Sequence, residues 1–509
     1  MRHVWAILGL VAGVAVAAAA TAAAPAPSPA AACLDPGGKS PAEDRVKACN
    51  LAVKAAWSGA PDARGALLVA RARALNDVSR FAEAEADADA ALSIRQDDLA
   101  ARLARGEARS MMDRNDAAFK DLEIVLKGEP RNAVALWRRG QIWHYNKSAP
   151  DKARADYDAA LTADPRLMMA WHDRGMLRLD AKDFTGGLAD LDAALKLQPD
   201  SILAARDRGV ALEDLDRRAE AIVAYSAILK ANPDNAATYT YRGSARFDAG
   251  DLKGALADFD AAIAHDPDQQ RAYRLKSELL DKQGHVDQAI AAAEAGLKRK
   301  ADDVDLLSDV ADLYKRAGKF DLALARLDAA IKAEPKNADH LVERAKTLEA
   351  KGDKPAAKAA LDSAVSLDPK STYALNNRGL YFYRGDDDTA AIADFSAAIA
   401  VDPKYDPAYF NLGLAYMDLK RYDRAVRAYN DYLKLLPGDA DALTDKGECY
   451  RLLGDDLRAI EQFDAAIAAK VDLALAWWRR GLAKESSGDA AGARADKAQA
   501  RKLDPHVGQ

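Results

Sequence analysis

The chain has 509 residues, 50% hydrophobic and 30% charged, with a net charge of −6 and three cysteines. The acidic surplus excludes nucleic acid as a partner, because that affinity rests on lysine and arginine neutralising phosphates. No basic amphipathic stretch of the kind that lies on membrane surfaces occurs.

The first element, MRHVWAILGLVAGVAVAAAATAAA, has a short positive start, an apolar run from Val4 to about Ala20 and small residues beyond it. This is the pattern of a secretory signal peptide over residues 1–24, with cleavage around Ala22–Ala24. The run is short and mostly alanine past Leu10, so no membrane insertion of the mature chain is expected. The tract APAPSPAAA (24–32) reads as a flexible or extended spacer. Lipid attachment at Cys33 is disfavoured, because the lipobox-type leucine is absent.

Export, to the periplasm first and by full secretion second, places the cysteines in an oxidising compartment. Cys33 and Cys49 lie 16 apart and make a natural disulfide pair there, while Cys449 is far along the chain. A redox-active pair is the alternative, without the usual Cys-x-x-Cys spacing. Ser40, Pro41 and Glu43 read as the N-cap, first-turn proline and capping-box acid of a helix carrying Cys49. Residues 25–64 are thus expected to form a spacer and a stapled N-terminal cap, half a repeat whose first helix is replaced by a loop.

From residue 65 to 507 the chain is periodic. Ten of the 19 prolines stand at 130, 165, 199, 233, 267, 335, 369, 403, 437 and 505, a period of 34 with one extra residue before Pro165. Ala301 and Val471 fill the two lattice points without proline. Ten residues past the lattice points come Gly106, Gly140, Gly175, Gly209, Gly243, Gly379, Gly413, Gly447 and Gly481, with Ala72, Ser277, Ala311 and Ala345 as exceptions. Only small side chains are admitted, so another helix must pass close by. Twelve residues before the lattice points comes a small residue (Ala153, Ala221, Ala255), and four further on a large one (Tyr157, Tyr225, Phe259, Phe395, Tyr429, Phe463). These intervals are helical, and strand-like alternation is absent. Each unit reads as two helices, the first ending at a turn such as DAGD (248–251) and the second at the proline. A period of this size signals stacked repeats, in one elongated domain rather than the three or four globules that length alone suggests.

The unit adds an aromatic at the fourth position of its first helix: Trp171, Tyr239, Tyr273, Tyr409 and Trp477. With the small slots, the second-helix aromatic and the closing proline, it resembles the tetratricopeptide repeat family. Counting back from Pro505 gives thirteen repeats starting near 65, 99, 133, 168, 202, 236, 270, 304, 338, 372, 406, 440 and 474. The resemblance implies an all-α, right-handed α-solenoid. It also implies a concave groove, lined by the second, fifth, sixth and ninth residues of each first helix, that holds peptides or helices of partner proteins.

In repeats 10 and 11 those positions carry Tyr373, Asn376, Asn377 and Leu380, then Pro407, Phe410, Asn411 and Leu414. Asn377 and Asn411 match the family's sixth-position asparagine, which hydrogen-bonds a ligand backbone. Tyr373, Asn377, Leu380, Phe410, Asn411 and Leu414 form the candidate peptide groove; the alternative is that Phe410 and Leu414 pack adjacent first helices. Around repeats 7 and 8 the groove carries Arg271, Arg274, Glu278, Asp305, Asp309 and Asp312. The lysine and asparagine set that clamps chaperone C-terminal carboxylates in some relatives is missing, so a chaperone-tail adaptor is not expected.

No Gly-rich phosphate loop, HExxH or Cys-x-x-Cys occurs, so no catalytic site, cofactor or metal is expected. His144 and His172, in adjacent repeats, come nearest to a metal pair, but their aromatic neighbours favour ordinary packing. A column of cations precedes the small slot: Arg71, Arg105, Arg139, Arg174, Arg208, Arg242, Arg344, Arg378 and Arg480, with Lys276 and Lys446. Aspartates flank the second-helix aromatic, as in Asp156 and Asp158. Ion pairing between the two sets is the favoured reading, and an anion-binding stripe is the other. Lys497, in the aromatic slot of the last repeat, fits a terminal repeat with a solvated face. The expected function is a non-enzymatic protein-interaction scaffold of the cell envelope. The alternative is a dedicated regulatory or chaperone-like subunit of one envelope enzyme or assembly machine.

Overall fold

The computed structural model describes residues 28–34, 41–56 and 60–508. The expected signal segment, the start of the spacer and Ser40 lie outside the described residues. Every regular element described is helical: Pro29–Cys33 and Ala42–Ala55, then thirteen helix pairs between Pro61 and Leu503. The pairs stack consecutively in two compact units, one up to Ile228 and one from Leu229, where the repeat pattern suggested a single domain. First helices from repeat 2 onward begin at Leu99, Ala133, Met168 and so on to Ala474. The first begins at Pro61, four residues ahead of the expected 65, because a proline suits the first helical turn, where no N–H is needed.

The lattice has a physical cause at both ends of the turn. Asp266, before Pro267, ends its helix at φ −137 and ψ 95, the extended backbone that a following proline demands. Lys300 before Ala301 and Lys470 before Val471 adopt nearly the same angles without a proline. The fourth-position aromatic closes the turn. Trp171 Nε1 donates to the Pro165 carbonyl at 2.9 Å, Tyr273 Oη to Pro267 at 3.2 Å and Trp477 Nε1 to Val471 at 2.8 Å. At Val471 the aromatic therefore holds the turn without a proline, whereas the turn at Ala301, followed by Leu307, keeps its angles without either.

The close helix approach is explained by the residue sixteen further on. A Cβ built on Gly243 would stand 2.6 Å from the Phe259 ring, and one on Gly379 or Gly413 equally close to Phe395 or Tyr429. Where the second helix supplies a leucine, the clearance grows to 3.3 Å (Gly106 against Leu122). The non-glycine slots Ala72, Ser277, Ala311 and Ala345 are matched with Ala88, Ala293, Leu327 and Leu361, all buried. Glycine is thus required where a ring packs against the first helix, while alanine or serine fits slots that meet an alanine or a leucine. Gly106 and Gly175, which meet leucines, show that glycine is not confined to the ring slots.

The single extra residue before Pro165 is taken up in repeat 3. Its first helix, Ala133–Gln141, continues as a π-helical turn over Ile142–Asn146. The insertion leaves the flanking packing intact: Gly140 still meets Tyr157, and Arg139 meets Asp156, each at seventeen residues instead of sixteen.

The cation column is an ion-pair ladder. Arg105, Arg174, Arg378 and Arg480 each chelate a buried aspartate sixteen residues on (Asp121, Asp190, Asp394 and Asp496), with both bonds between 2.6 and 2.8 Å. They also reach a second aspartate sixteen residues back (Asp89, Asp158, Asp362 and Asp464) on the preceding repeat. Where alanine replaces the forward acid, at Ala224, Ala292 and Ala360, the cation keeps only the backward one: Arg208 to Asp192, Lys276 to Asp260, Arg344 to Asp328. The aspartates flanking an aromatic are therefore two halves of a clamp. The first binds its own repeat, the second the next. Pairing, not an anion stripe, accounts for the arginines of the column and for Lys276.

At the N-terminus Cys33 and Cys49 are joined by a disulfide and buried against Leu67 and Leu68 of repeat 1. Residues 29–33 are a helical turn, not extended spacer: Ser28 Oγ accepts the Ala31 N–H and Pro29 occupies the first turn. Pro41 stands at the N-cap of Ala42–Ala55, one position earlier than expected. At the other end Lys497 Nζ leaves the packing for Glu485 at 2.6 Å and lies 5.7 Å over the Trp478 ring.

Candidate interaction groove

Within each unit, first helices touch the first helices of following repeats, as Thr372–Arg384 touches Asp406–Asp418. Their fifth and sixth residues therefore line up along consecutive first helices as a strip. In the unit ending at Ile228 this strip is cross-linked to itself. Trp137 Nε1 and Gln141 Nε2 donate to Asp173 at 2.6 and 2.7 Å. His172 bridges Asp173 and Asp207 at 2.9 and 2.8 Å, and Arg206 binds Asp207 at 2.8 Å. Burial pulls the His172 pKa down, but the two carboxylates outweigh it and raise it to about 9, so the ring is a cation at neutral pH. His144, its imagined metal partner, instead bonds Asp180 at 2.8 Å from the π-helical turn. The two histidines serve separate carboxylates.

Repeats 10 and 11 differ. Tyr373, Leu380, Asn377, Phe410, Asn411 and Leu414 are all half-buried. Asn377 Nδ2 donates to the Tyr373 carbonyl at 2.8 Å, one turn back in its own helix. Asn411 Nδ2 donates across the repeat boundary to Oδ1 of buried Asn376 at 2.9 Å. Asn411 thus carries a structural bond between repeats in addition to any ligand contact. Among the described residues nothing donates to Asn377 Oδ1 or Asn411 Oδ1. These two acceptors, one repeat apart, are open to a ligand N–H.

The apolar candidates divide. Phe410 lies edge-on to Tyr429 at 5.8 Å and tilted against Tyr432 at 5.4 Å, which makes it a packing residue of its own repeat. Leu380 rests against the Phe395 cluster. Tyr373 belongs to a polar bridge, in which its hydroxyl donates to Glu343 and accepts from Lys346 at 3.1 Å. Burial and the Glu343 carboxylate push the phenol far above its ordinary range, so it stays a neutral donor. Sequence reasoning missed Glu343 and Lys346, although they stand at the sixth and ninth positions of repeat 9.

Farther along, the charged stretch of repeats 7 and 8 is partly self-paired. Arg274 binds Asp305 at 3.2 Å, and Arg316 bridges Asp281 and Asp312 at 2.8 and 2.9 Å. Among the described residues no three histidine, cysteine or carboxylate groups converge as a metal site would need, and no helix is long and apolar enough to cross a membrane.

Comparison with known proteins places this architecture. The solved structure of MamA is 30% identical over 32% of this chain and 95% of its own, with a TM-score of 0.30. A tetratricopeptide repeat protein from Parabacteroides merdae is 18% identical over 49% of this chain and 98% of its own, at 0.36. Naa15/Naa10 bound to HypK-THB is 18% identical over 91% and 92%, at 0.39. No curated protein sequence matches. A tetratricopeptide repeat model matches residues 112–167, 172–236, 309–371, 342–406 and 410–474, more than half of the chain, and a second such model matches 246–311. The closing aromatics, ring-matched glycines and two-helix period are thus those of a known repeat, and the chain belongs to the tetratricopeptide repeat family.

Proposed function

We propose that the chain is an exported, non-catalytic scaffold that holds an extended segment or helix of a partner protein against the first-helix strip of repeats 10 and 11. The observation that carries this reading is the pair of unengaged amide oxygens on Asn377 and Asn411, one repeat apart and bordered by half-buried Leu380 and Leu414. Elsewhere on the strip the polar groups are largely spent on one another, so a ligand would have to break bonds to make them. The apolar, alanine-rich start of the sequence and the Cys33–Cys49 bridge support work in an oxidising cell envelope, the periplasm by preference.

The test is a photo-crosslinking side chain placed at Leu414, with Leu457, on the second helix of repeat 12, as the control. A partner captured from the envelope fraction at Leu414 alone is the expected result. Asn377→Ala, whose lost bond is local, should then weaken that partner by about 1–3 kcal/mol. Capture at Leu457 only, or unchanged affinity of the folded variant, moves the site elsewhere.

A further inference from the structure

One rung of the ion-pair ladder is broken. At the ladder position of repeat 12 stands Lys446, and the two register positions that hold its counterions elsewhere are Gln462, sixteen residues on, and Asn430, sixteen back. Every other ladder cation has a carboxylate at one or both. The acids beside Lys446 in sequence are taken: Asp445 binds Arg479 at 2.8 Å, and Glu448 binds Arg451 at 2.7 Å. Among the described residues Lys446 has no ion pair and no side-chain hydrogen bond. It is nevertheless half-buried, in the same slot that hides the stems of its paired counterparts.

We propose that Lys446 is a site of lysine acylation, modified by activated acyl donors such as thioesters or acyl phosphates in preference to the ion-paired lysines of this chain. Acylation needs the neutral amine. Its lone pair attacks the acyl carbon, the N–C bond forms, and the bond to sulfur or phosphate oxygen breaks with the electron pair leaving on that atom. The ammonium proton goes to water. In a completed rung the ammonium is bound to a carboxylate, as Lys276 is to Asp260 at 2.6 Å, and that ion pair must open before the nitrogen can attack. At Lys446 no carboxylate binds the ammonium, and burial lowers its pKa, which favours the attacking form. The product also suits the site. Acylating Lys276 would break an ion pair with exposed Asp260, whereas acylating Lys446 removes a half-buried charge that nothing neutralises.

The experiment treats the full chain with a limiting amount of succinimidyl acetate near neutral pH and follows each lysine by peptide mass spectrometry. Lys276 is the matched comparator, since it occupies the same register position and is also half-buried. Lys446 should acetylate several-fold faster than Lys276, and faster than the ion-paired surface lysines Lys319 and Lys351. Restoring the rung with Gln462→Asp should slow it to the Lys276 rate. If that variant does not fold, Asn430→Asp serves, because the backward acid is the more exposed one in the intact rungs. Asp260→Asn should in turn accelerate Lys276. Equal or slower acetylation of Lys446 in the parent chain overturns the proposal. So does a fast rate that a restored carboxylate leaves unchanged, since accessibility alone would then explain it.

Discussion

The backbone of Gly209 packs against the ring of Tyr225, so closely that an added Cβ would stand 2.3 Å from the ring edge. Tyr225 is fully buried, and its hydroxyl donates to Glu213 at 2.6 Å, so the ring has no free direction in which to yield. Gly209→Ala should therefore cost about 1–3 kcal/mol through overpacking. Repeats contact only their neighbours, so the loss of amide-exchange protection should centre on repeats 4 and 5 and leave repeats 1 and 2 unaffected. The Ala345–Leu361 slot shows the compensated form of the same contact. Adding Tyr225→Leu should thus recover part of what Gly209→Ala loses. Strictly additive losses in the double variant would refute the ring contact as the cause.

The ladder yields a contrast within one register position. Asp190 is 3% exposed and depends on Arg174, with Arg178 a second partner at 3.0 Å, whereas Asp328, bound by Arg344, is 59% exposed. Removing a cation from a buried carboxylate strands its charge, but water takes over an exposed one. Arg174→Met should destabilise its repeat by about 2–4 kcal/mol, and Arg344→Met by less than about 1 kcal/mol. Similar shifts in local amide-exchange free energy for both variants would show that burial does not set the value of these pairs.

The fold was legible because its signals repeat. One proline position proves little, but a lattice that survives alanine at 301 and valine at 471 exposes a period that no single substitution hides. The fourth-position aromatics and the small slots were visible too, though not that aromatics such as Trp171 bind the lattice carbonyl and that most of the glycine slots face a ring on the second helix. Pairing the cation column with aspartates at that same interval was available from counting alone. The groove was harder to read. Whether Asn411 is free or spends a hydrogen on Asn376, and whether Phe410 faces a ligand or Tyr432, depends on single rotamers that a repeat pattern does not encode. The π-helical turn left a trace as one surplus residue, whose position within repeat 3 only packing decided.

The cap gives a redox prediction. Denatured without reductant, the chain should alkylate only at Cys449, and after reduction at all three cysteines. In the native state even Cys449 should resist, because it is buried and burial pushes its thiol up to about 12. The Cys33–Cys49 loop spans a sequence separation of 16, so its closure is worth about 3 kcal/mol to the cap. Reduction should loosen the packing on Leu67 and Leu68 while the repeats of the second unit keep their protection. Three labels on unreduced, denatured protein would rule the bridge out.

His172 makes the first unit sensitive to pH in a stated direction. The folded pKa is about 9, against 6.5 for the ordinary side chain, because Asp173 and Asp207 hold the proton despite burial. Below pH 6.5 both folded and unfolded chains carry that proton, and the His172 contribution is complete. Between 6.5 and 9 the unfolded chain has released it and the folded chain has not, so stability falls as pH rises, by roughly 1.4 kcal/mol per unit and about 3 kcal/mol over the window. Above that range the proton-linked part of the bridge's contribution is gone. Asp207 has the opposite sense: its pKa is lowered, because His172 and Arg206 outweigh burial, so its contribution disappears only on strong acidification. The first unit should therefore be most stable on a plateau below pH 6.5 and above the carboxylate range. His172→Gln keeps a donor for one aspartate but has no proton to lose. It should lower stability at pH 6 and flatten the decline toward pH 9, as read from amide exchange in repeats 3 to 5 after correction for the intrinsic rate. An unchanged slope in that variant would assign the pH response to other groups.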